Sequence, residues 1–315
     1  MNFRIISLFA FSILLYFAVH SSSFSQKTNL ELGARYIKLG NTYTKSRLFD
    51  SAFYFINKGK KIAEKEKSLY WQAAALEYLA YLNMEQGKID VAKKYLSESI
   101  DIYKKIIKQK DGSPAAVQAL LRMKGYFADA AGKIALKGSD EIQDEFNYSY
   151  LKVYKDIKEA EANPEKVYIL DLSGQNASEL LANTDIKKFK NLVSLNLSDS
   201  RLSDLPDGLT KLENLYHLDL SMNRLSDIPD DVFNLKHLTH LNLSENQVGE
   251  LPEEICKMQN LVEIKLASNR LSELPDCVGK MTNIEMLNIA DNKFSLQSIV
   301  NIARNLPKQT QLIVE

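Results

Sequence analysis

Residues 192–283 are four consecutive copies of one 23-residue motif. In register the copies read LVSLNLSDSRLSDLPDGLTKLEN, LYHLDLSMNRLSDIPDDVFNLKH, LTHLNLSENQVGELPEEICKMQN and LVEIKLASNRLSELPDCVGKMTN. Self-similarity at a fixed period of this length is typical of solenoids, in which each copy buries its apolar side chains against the next copy. The repeat therefore decides the fold of this half of the chain.

Each part of the motif has a structural reading. Apolar residues alternate with polar ones, as Leu218 and Leu220 do around Asp219, which predicts one short strand per copy and hence a parallel sheet. An Asn then follows at positions 223, 246 and 269, and its amide can satisfy backbone groups of a buried turn, so its removal should cost roughly 1 to 3 kcal/mol. Pro at positions 206, 229, 252 and 275 lacks an amide hydrogen and ends the extended pairing.

This pattern, LxxLxLxxNxLxxLPxxLxxLxN, resembles the leucine-rich repeat family. The resemblance implies an α/β horseshoe whose parallel sheet lines the concave side, and it implies that the usual activity is holding another protein. The outer turns depart from the pattern, with Gln175 and Ser200 at the Asn position. Helical spacing at residues 296–305, followed by a possible strand at 311–314, predicts a C-terminal cap.

The preceding half of the chain, residues 28–162, has little Pro and has apolar residues at helical spacing. Small residues recur at Gly40, Ala52, Ala80 and Ala92, where two helices would pack closely. The arrangement resembles the tetratricopeptide repeat family, with helix pairs at 31–65 and 69–107, although Arg47 stands where a turn Gly is expected. A third pair is predicted at 114–136 and 140–161. The predicted fold is thus an α-helical, tetratricopeptide-like repeat domain at 26–163, followed by an α/β leucine-rich repeat solenoid at 164–315.

Residues 1–25 combine Arg4, an apolar run and the small residues Ser23 and Ser25, which is typical of a secretory signal peptide cleaved before Gln26. The alternative is a retained membrane anchor, for which the run is short. We expect a bacterial protein exported to the periplasm or beyond. Cys256 and Cys277 could pair in such a compartment or remain separate thiols, and the sequence leaves both possibilities open.

The composition and motifs argue against several functions. Forty basic and forty acidic residues balance, so there is no electrostatic footprint for nucleic acid or an anionic membrane. No Gly-rich phosphate loop, HExxH or GxSxG motif occurs. We therefore expect a protein that is not an enzyme, has no cofactor or metal, binds a protein or peptide, and contacts a membrane only if the N-terminal segment stays as an anchor.

Polar residues that face out of the predicted strands are the candidate partner-binding residues, because the core does not account for them. In chain order they are Ser194, Asn196, Tyr216, His217, Asp219, Arg224, His240, Asn242, Glu245, Glu263, Lys265, Arg270, Met286 and Asn288. A mixed polar surface of this kind suits many modest contacts with a protein. The favoured interpretation of the row of Arg residues is a solvated surface whose charges pair with Asp199 and Glu245.

His217 and His240 occupy the same position in consecutive copies, so their strands should lie ~4.8 Å apart. With Asp219 nearby they could bind zinc, but a third firm ligand is not evident, and partner binding is the favoured reading. In the helical half most Tyr residues should fill the core. Tyr36 and Tyr43 fall on the helix that lines the inner groove in the tetratricopeptide family, so they are candidate peptide-binding residues.

These observations predict an exported scaffold that binds protein through the concave face and a peptide in the helical groove. The alternative is a cell-surface or secreted recognition protein for host or extracellular ligands. The sequence does not identify the partner.

Overall fold

A computed structural model of the chain describes residues 29–109, 113–123, 152–182, 184–205, 207–228 and 230–315. Contacts divide the chain into two compact units, residues 1–103 and 104–315. The predicted signal peptide, residues 124–151 of the third helix pair, Pro206 and Pro229 lie outside the described residues. Among the residues described, no helix has the length and apolar character needed to cross a membrane.

The N-terminal helices form the predicted hairpins. They are α1 Asn29–Lys45, α2 Phe49–Lys65, α3 Leu69–Glu85 and α4 Ile89–Ile107. Gly40 allows α1 and α2 to pack closely, because a Cβ there would lie 2.4 Å from Ile56 Cγ1 and 3.0 Å from the Ala52 carbonyl oxygen. The close helix packing predicted from the small residues is confirmed, and the tetratricopeptide assignment itself stays a prediction.

Each turn between these helices closes on a residue with positive φ. The φ angles are 57° at Arg47, 55° at Lys67 and 72° at Gly87. This left-handed conformation lets Leu48 N–H reach the Tyr43 carbonyl at 2.9 Å, which satisfies the end of α1. Arg47 thus does the work of the expected Gly at the cost of a strained backbone.

The second unit contains an eight-stranded sheet, parallel throughout and in chain order. The strands are β1 Val153–Tyr154, β2 Ile169–Asp171, β3 Ser194–Asn196, β4 His217–Asp219, β5 His240–Asn242, β6 Glu263–Lys265, β7 Met286–Asn288 and β8 Gln311–Ile313. Helices here are α5 at residues 114–123, α6 Ile157–Ala162, α7 Ala177–Ala182 and α8 Leu296–Asn305. Short 3-10 helices cross back at Pro164–Lys166, Ile186–Lys188, Leu209–Lys211, Asp230–Asn234, Glu253–Lys257 and Asp276–Lys280. The repeats thus form the solenoid with a parallel sheet that the motif predicts, and α8 and β8 lie where the C-terminal cap is predicted.

The core lies between the strands and the return segments. The middle residue of each repeat strand is buried, as at Leu218 and Leu241, and Val232, Ile255 and Val278 of the 3-10 helices are buried opposite. Burial of these side chains is the main stabilising term, at about 1.5 to 3 kcal/mol for each large apolar residue. The predicted inward columns are confirmed.

The repeat Asn forms the predicted turn ladder. Asn246 Nδ2 donates to the carbonyls of Leu220, Leu243 and Ser244 at 2.9 to 3.2 Å, and its Oδ1 accepts from Leu225 N–H at 3.0 Å. One side chain therefore satisfies backbone groups of two adjacent repeats. Ser200, at the Asn position of its copy, donates from its hydroxyl to the Leu172 and Ser198 carbonyls instead.

The helix predicted at 140–161 is wrong at its C-terminal end. Val153–Tyr154 is a strand that pairs with Ile169 and Leu170, and within the described residues 152–162 the helix is confined to Ile157–Ala162. A β-branched and an aromatic residue favour extended backbone, and the Asp156 side chain caps the new helix by accepting from Glu159 N–H at 2.9 Å. The sheet thus begins before the predicted boundary at residue 164.

Cys256 and Cys277 form a disulfide with their Cα atoms 6.0 Å apart. They belong to the 3-10 helices of neighbouring repeats, on the side of the solenoid opposite the strands. Of the two possibilities left open by the sequence, the structure has the paired one.

Candidate partner-binding face

We define the concave face as the outward-pointing residues of β2 to β7, with the loop that follows each strand. In these strands the middle residue is buried and its two neighbours are partly exposed. Parallel register places equivalent residues of successive repeats side by side. The predicted partner-binding residues of the repeats thus share one surface.

One column of this face has a structural role that the sequence reading missed. Its members, each with the distance from the side-chain oxygen to the backbone N of the residue two positions on, are Asp171 (3.1 Å), Asn196 (2.9 Å), Asp219 (2.9 Å), Asn242 (3.1 Å) and Asn288 (3.1 Å). Each side chain caps the turn that leaves its strand, as Asp and Asn commonly do. The recurrence of Asp or Asn at this position was a readable signal for the caps.

Lys265 is the exception in that column. An ammonium group has no lone pair, so Lys265 cannot accept from Ala267 N–H. It forms an ion pair with Glu263 across 2.7 Å instead. The repeat has given up a turn cap here and placed two charges on the surface.

His217 and His240 lie together as predicted. Their strands pair in register, and the rings stack with centroids 4.3 Å apart and planes inclined by 22°. His217 Nε2 is buried and forms no hydrogen bond with the residues that the structure describes. The pKa of His217 is lowered from 6.5 to about 3, mainly by burial and in smaller part by the charges of His240 and of Arg122 on α5. His217 is therefore a neutral imidazole at physiological pH.

Hydrogen bonds fix the tautomer of His240. Thr239 Oγ1 donates to the Tyr216 carbonyl at 3.0 Å, so at 2.9 Å it accepts from His240 Nδ1, which must carry the proton. Burial lowers the pKa of His240, and nearby charges act in both directions: Glu263 and Glu285 raise it, whereas Lys265 and Arg122 lower it. Its Nε2 lone pair remains available as an acceptor.

Asp219, the third residue considered for zinc binding with this pair, is engaged in hydrogen bonds within the chain. Asp219 Oδ1 accepts from Ser221 N–H and Oγ at 2.9 and 2.6 Å, and its Oδ2 accepts from Asn242 Nδ2 at 3.0 Å. Across the part of the chain that the structure describes, no cluster of three metal-ligating residues occurs.

The loop that follows each strand forms the rim of the face. One rim residue per repeat has a φ of 50 to 57°: Asp199, Met222, Glu245, Ser268 and Asp291. Its N–H donates to the next repeat, as Met222 does to the Ser244 carbonyl at 2.9 Å. Met222 is half exposed, at 50%, among polar neighbours, so it is an apolar contact point that the predicted set omitted.

The rest of the rim is polar. Arg224, Arg270 and Glu245 are exposed. Arg270 donates to Gln247 Oε1 at 2.9 Å rather than pairing with an acidic neighbour, so the predicted Asp199 and Glu245 partners are not the ones it uses. Ser194, Tyr216 and Met286 are partly buried in the face.

In the helical unit, Tyr36 and Tyr43 flank one ring. Phe55 stacks on both, with centroids 5.8 and 5.4 Å away. Tyr36 is only 5% exposed, whereas Tyr43 is partly exposed. Tyr36 thus belongs to the packing that positions Tyr43 rather than to an open groove.

The chain was compared with solved structures, with curated proteins and with sequence models of protein families. Three solved structures are similar to this chain: a leucine-rich repeat protein of Leptospira interrogans (30% identity, TM-score 0.42, 51% of this chain and 48% of that one), internalin C2 of Listeria monocytogenes (24%, 0.39, 47% and 62%) and an internalin F of the same species (23%, 0.34, 47% and 46%). The chain thus spans less than two thirds of each of them. Among curated proteins no match is found. A sequence model of a protein family, the leucine-rich repeat region, matches residues 209–314, which contain strands β4 to β8.

Proposed function

We propose that this chain is an exported, non-enzymatic scaffold protein that binds a protein partner on the concave face. The observation that carries the proposal is the placement of His217, His240, Glu263 and Lys265 on the adjacent strands β4 to β6. None of these four side chains caps a turn or fills the core of the repeat. Their partly exposed position on the concave face supports contact with another molecule.

Chemistry of the face supports binding rather than catalysis. Both cysteines of the chain are tied in the disulfide, so no thiol is left as a nucleophile. Asp219 is engaged by Ser221 and Asn242, and the stacked imidazoles are neutral. A partly exposed surface of mixed polar and charged side chains suits many modest contacts with a protein partner.

Export is supported by two independent features. Disulfides persist in oxidising compartments and are rare in a reducing cytosol, so the Cys256–Cys277 bond fits a secreted or periplasmic location. The signal-peptide pattern of residues 1–25 gives the same location. An intact-mass measurement of the protein from its native host should give a chain beginning at Gln26, and a mass that includes residues 1–25 would contradict cleavage.

A peptide site in the helical unit is a second proposed contact, and it rests on Tyr43. Its ring stacks on Phe55 and is partly exposed, and the exposed Tyr54 on α2 packs edge-on against the same Phe55 ring. Display at the cell surface for recognition of host or extracellular ligands is the alternative setting for the same binding chemistry. Cell fractionation separates these settings, since retention in the periplasm favours the scaffold.

Affinity capture with matched variants tests the proposal. The bait is residues 26–315, and the concave variant carries His217→Ala, His240→Ala and Lys265→Ala. The control variant carries Glu254→Ala and Lys257→Ala, which removes an exposed ion pair on the opposite side of the solenoid. The partner should be retained by the wild type and the control, and lost from the concave variant. Equal retention by the two variants, both folded by circular dichroism, would contradict the proposal.

A further inference from the structure

The turn after β6 differs from its neighbours in the hydrogen-bond donors that it leaves open. In the turns after β2, β3, β4, β5 and β7, the N–H two residues beyond the capping position is taken by an Asp or Asn side chain. The equivalent group after β6 is Ala267 N–H, and Lys265 offers it no oxygen. Within the described part of the chain, Ala267 N–H forms no hydrogen bond.

A second donor points to the same place. Asn242 Oδ1 accepts from Ser244 N–H at 3.1 Å, and its Nδ2 donates back to Asp219 on the preceding strand at 3.0 Å. Asn288 has the same cap, to Ala290 N–H at 3.1 Å, and the register places it beside Lys265 as Asn242 lies beside Asp219. Because Lys265 carries no acceptor, Asn288 Nδ2 forms no hydrogen bond within the described residues.

The turn after β4 shows that a similar set of donors binds a carboxylate, that of Asp219. Its carboxylate accepts from a backbone N–H, from a hydroxyl and from the Asn amide of the next strand. After β6 the backbone N–H and the Asn amide are in the same register positions. The hydroxyl and the carboxylate are missing, and Lys265 adds an ammonium group, bonded to Glu263, to the same face. The ammonium group has three hydrogens, so its bond to Glu263 leaves others available.

We propose that a carboxylate of the partner, from an Asp or Glu side chain, binds here between Ala267 N–H, Asn288 Nδ2 and Lys265 Nζ. This inference rests on the proposed function and adds the chemistry of the partner at one point of the concave face. A carboxylate suits the site better than a neutral amide, because its two oxygens accept from all three donors and one donor is cationic. The half-buried setting of Lys265 and Ala267 leaves the site reachable from the face.

Lys265→Asn is the discriminating variant. It restores the cap that Asn242 and Asn288 form, so Ala267 N–H becomes occupied by the chain itself and the cation is removed. The repeat should fold as before, because Asn is the residue that the neighbouring turns already use. Lys265→Arg, which keeps the charge and the donors, is the matched control.

The experiment titrates acetyl-Gly-Asp-Gly-amide into isotope-labelled protein, residues 26–315, and follows the backbone amide of Ala267 and the side-chain amide of Asn288 by NMR. Both signals should shift and saturate with wild type and with Lys265→Arg. Binding should weaken at least tenfold with Lys265→Asn or with the Asn-containing peptide as the probe. Unsaturated shifts with the wild type, or equal affinity for the Asp and Asn peptides, would overturn the carboxylate site.

The two proposals fail separately. A negative titration together with loss of partner capture by a variant that carries only His217→Ala and His240→Ala would remove only the carboxylate site. Saturable Asp binding together with capture that is indifferent to the concave variant would remove the proposed function and leave the site.

Discussion

Acidification should destabilise the repeats through His217. The imidazole is neutral in the folded chain because burial, with smaller contributions from the charges of His240 and Arg122, lowers its pKa from 6.5 to about 3. In the unfolded chain the same group titrates near 6.5. Below pH 6.5 the unfolded state therefore binds a proton that the folded state does not, and folding stability falls as the pH falls towards 3.

The size of the effect follows from the two pKa values. Each pH unit in this window costs up to about 1.4 kcal/mol, so at pH 5 the loss from His217 is about 2 kcal/mol relative to pH 8. This figure holds for any folded-state pKa well below 5. His240, whose pKa is also lowered, acts in the same direction.

His217→Phe isolates the contribution of this residue, because Phe keeps a ring against His240 and cannot take a proton. Urea unfolding of wild type and variant is measured at pH 8 and at pH 5. Far-UV circular dichroism follows the whole chain, and the single tryptophan, Trp71 in α3, reports the helical unit alone. An unfolding transition that appears in circular dichroism but not in the Trp71 signal is assigned to the repeats.

Wild type should lose about 2 kcal/mol more than His217→Phe between pH 8 and pH 5 in that transition. The Trp71 transition should have the same pH dependence in both proteins, which makes it an internal control. Losses that agree within about 0.5 kcal/mol would refute the idea that His217 is held neutral by the fold.

Three further predictions concern the stability of the fold. Replacing Cys256 and Cys277 by Ser should lower the stability of the repeats by about 3 kcal/mol, because the bond closes a loop with a sequence separation of 21 residues; equal urea midpoints with and without the bond would contradict this. Asn246→Ala should cost about 3 kcal/mol, since it strands buried carbonyl and N–H groups of two repeats, and a cost below about 1 kcal/mol by the same assay would show that water replaces the amide. Arg47→Gly should stabilise the helical unit by about 1 kcal/mol in the Trp71 transition by relieving the left-handed backbone, whereas a loss would mean that the Arg47 side chain does more than close the turn.

Features that depend on spacing within one repeat were predictable from the sequence. Leu218 and Leu241 are buried, Asn223 and Asn246 bond two repeats, and His217 lies beside His240, because a parallel register repeats every contact at the motif's period. A regular motif carries its own tertiary structure, since each copy meets only its neighbours.

Features that depend on a single non-repeating contact were not predictable. The strand at Val153 exists because β2 offers an open edge, which helical periodicity in the sequence does not reveal. Tyr36 is buried because Phe55 covers it, and Arg122 reaches the His pair from a helix far away along the chain. The disulfide required Cα atoms at a suitable distance, which only the superhelical pitch decides.

The regularity of the repeat also distinguishes frame from function. Five of the six turns after β2 to β7 have Asp or Asn at the last position of the preceding strand, where it caps the turn. The candidate residues Asn196, Asp219, Asn242 and Asn288 therefore have a structural role first. A departure that loses a structural bond without filling the core needs another reason. Lys265 cannot form the cap of its turn. Met222 exposes an apolar side chain at a position of positive φ where the first turn has Gly174. Both costs fall on the concave face, as selection for binding would require and as selection for stability alone would oppose.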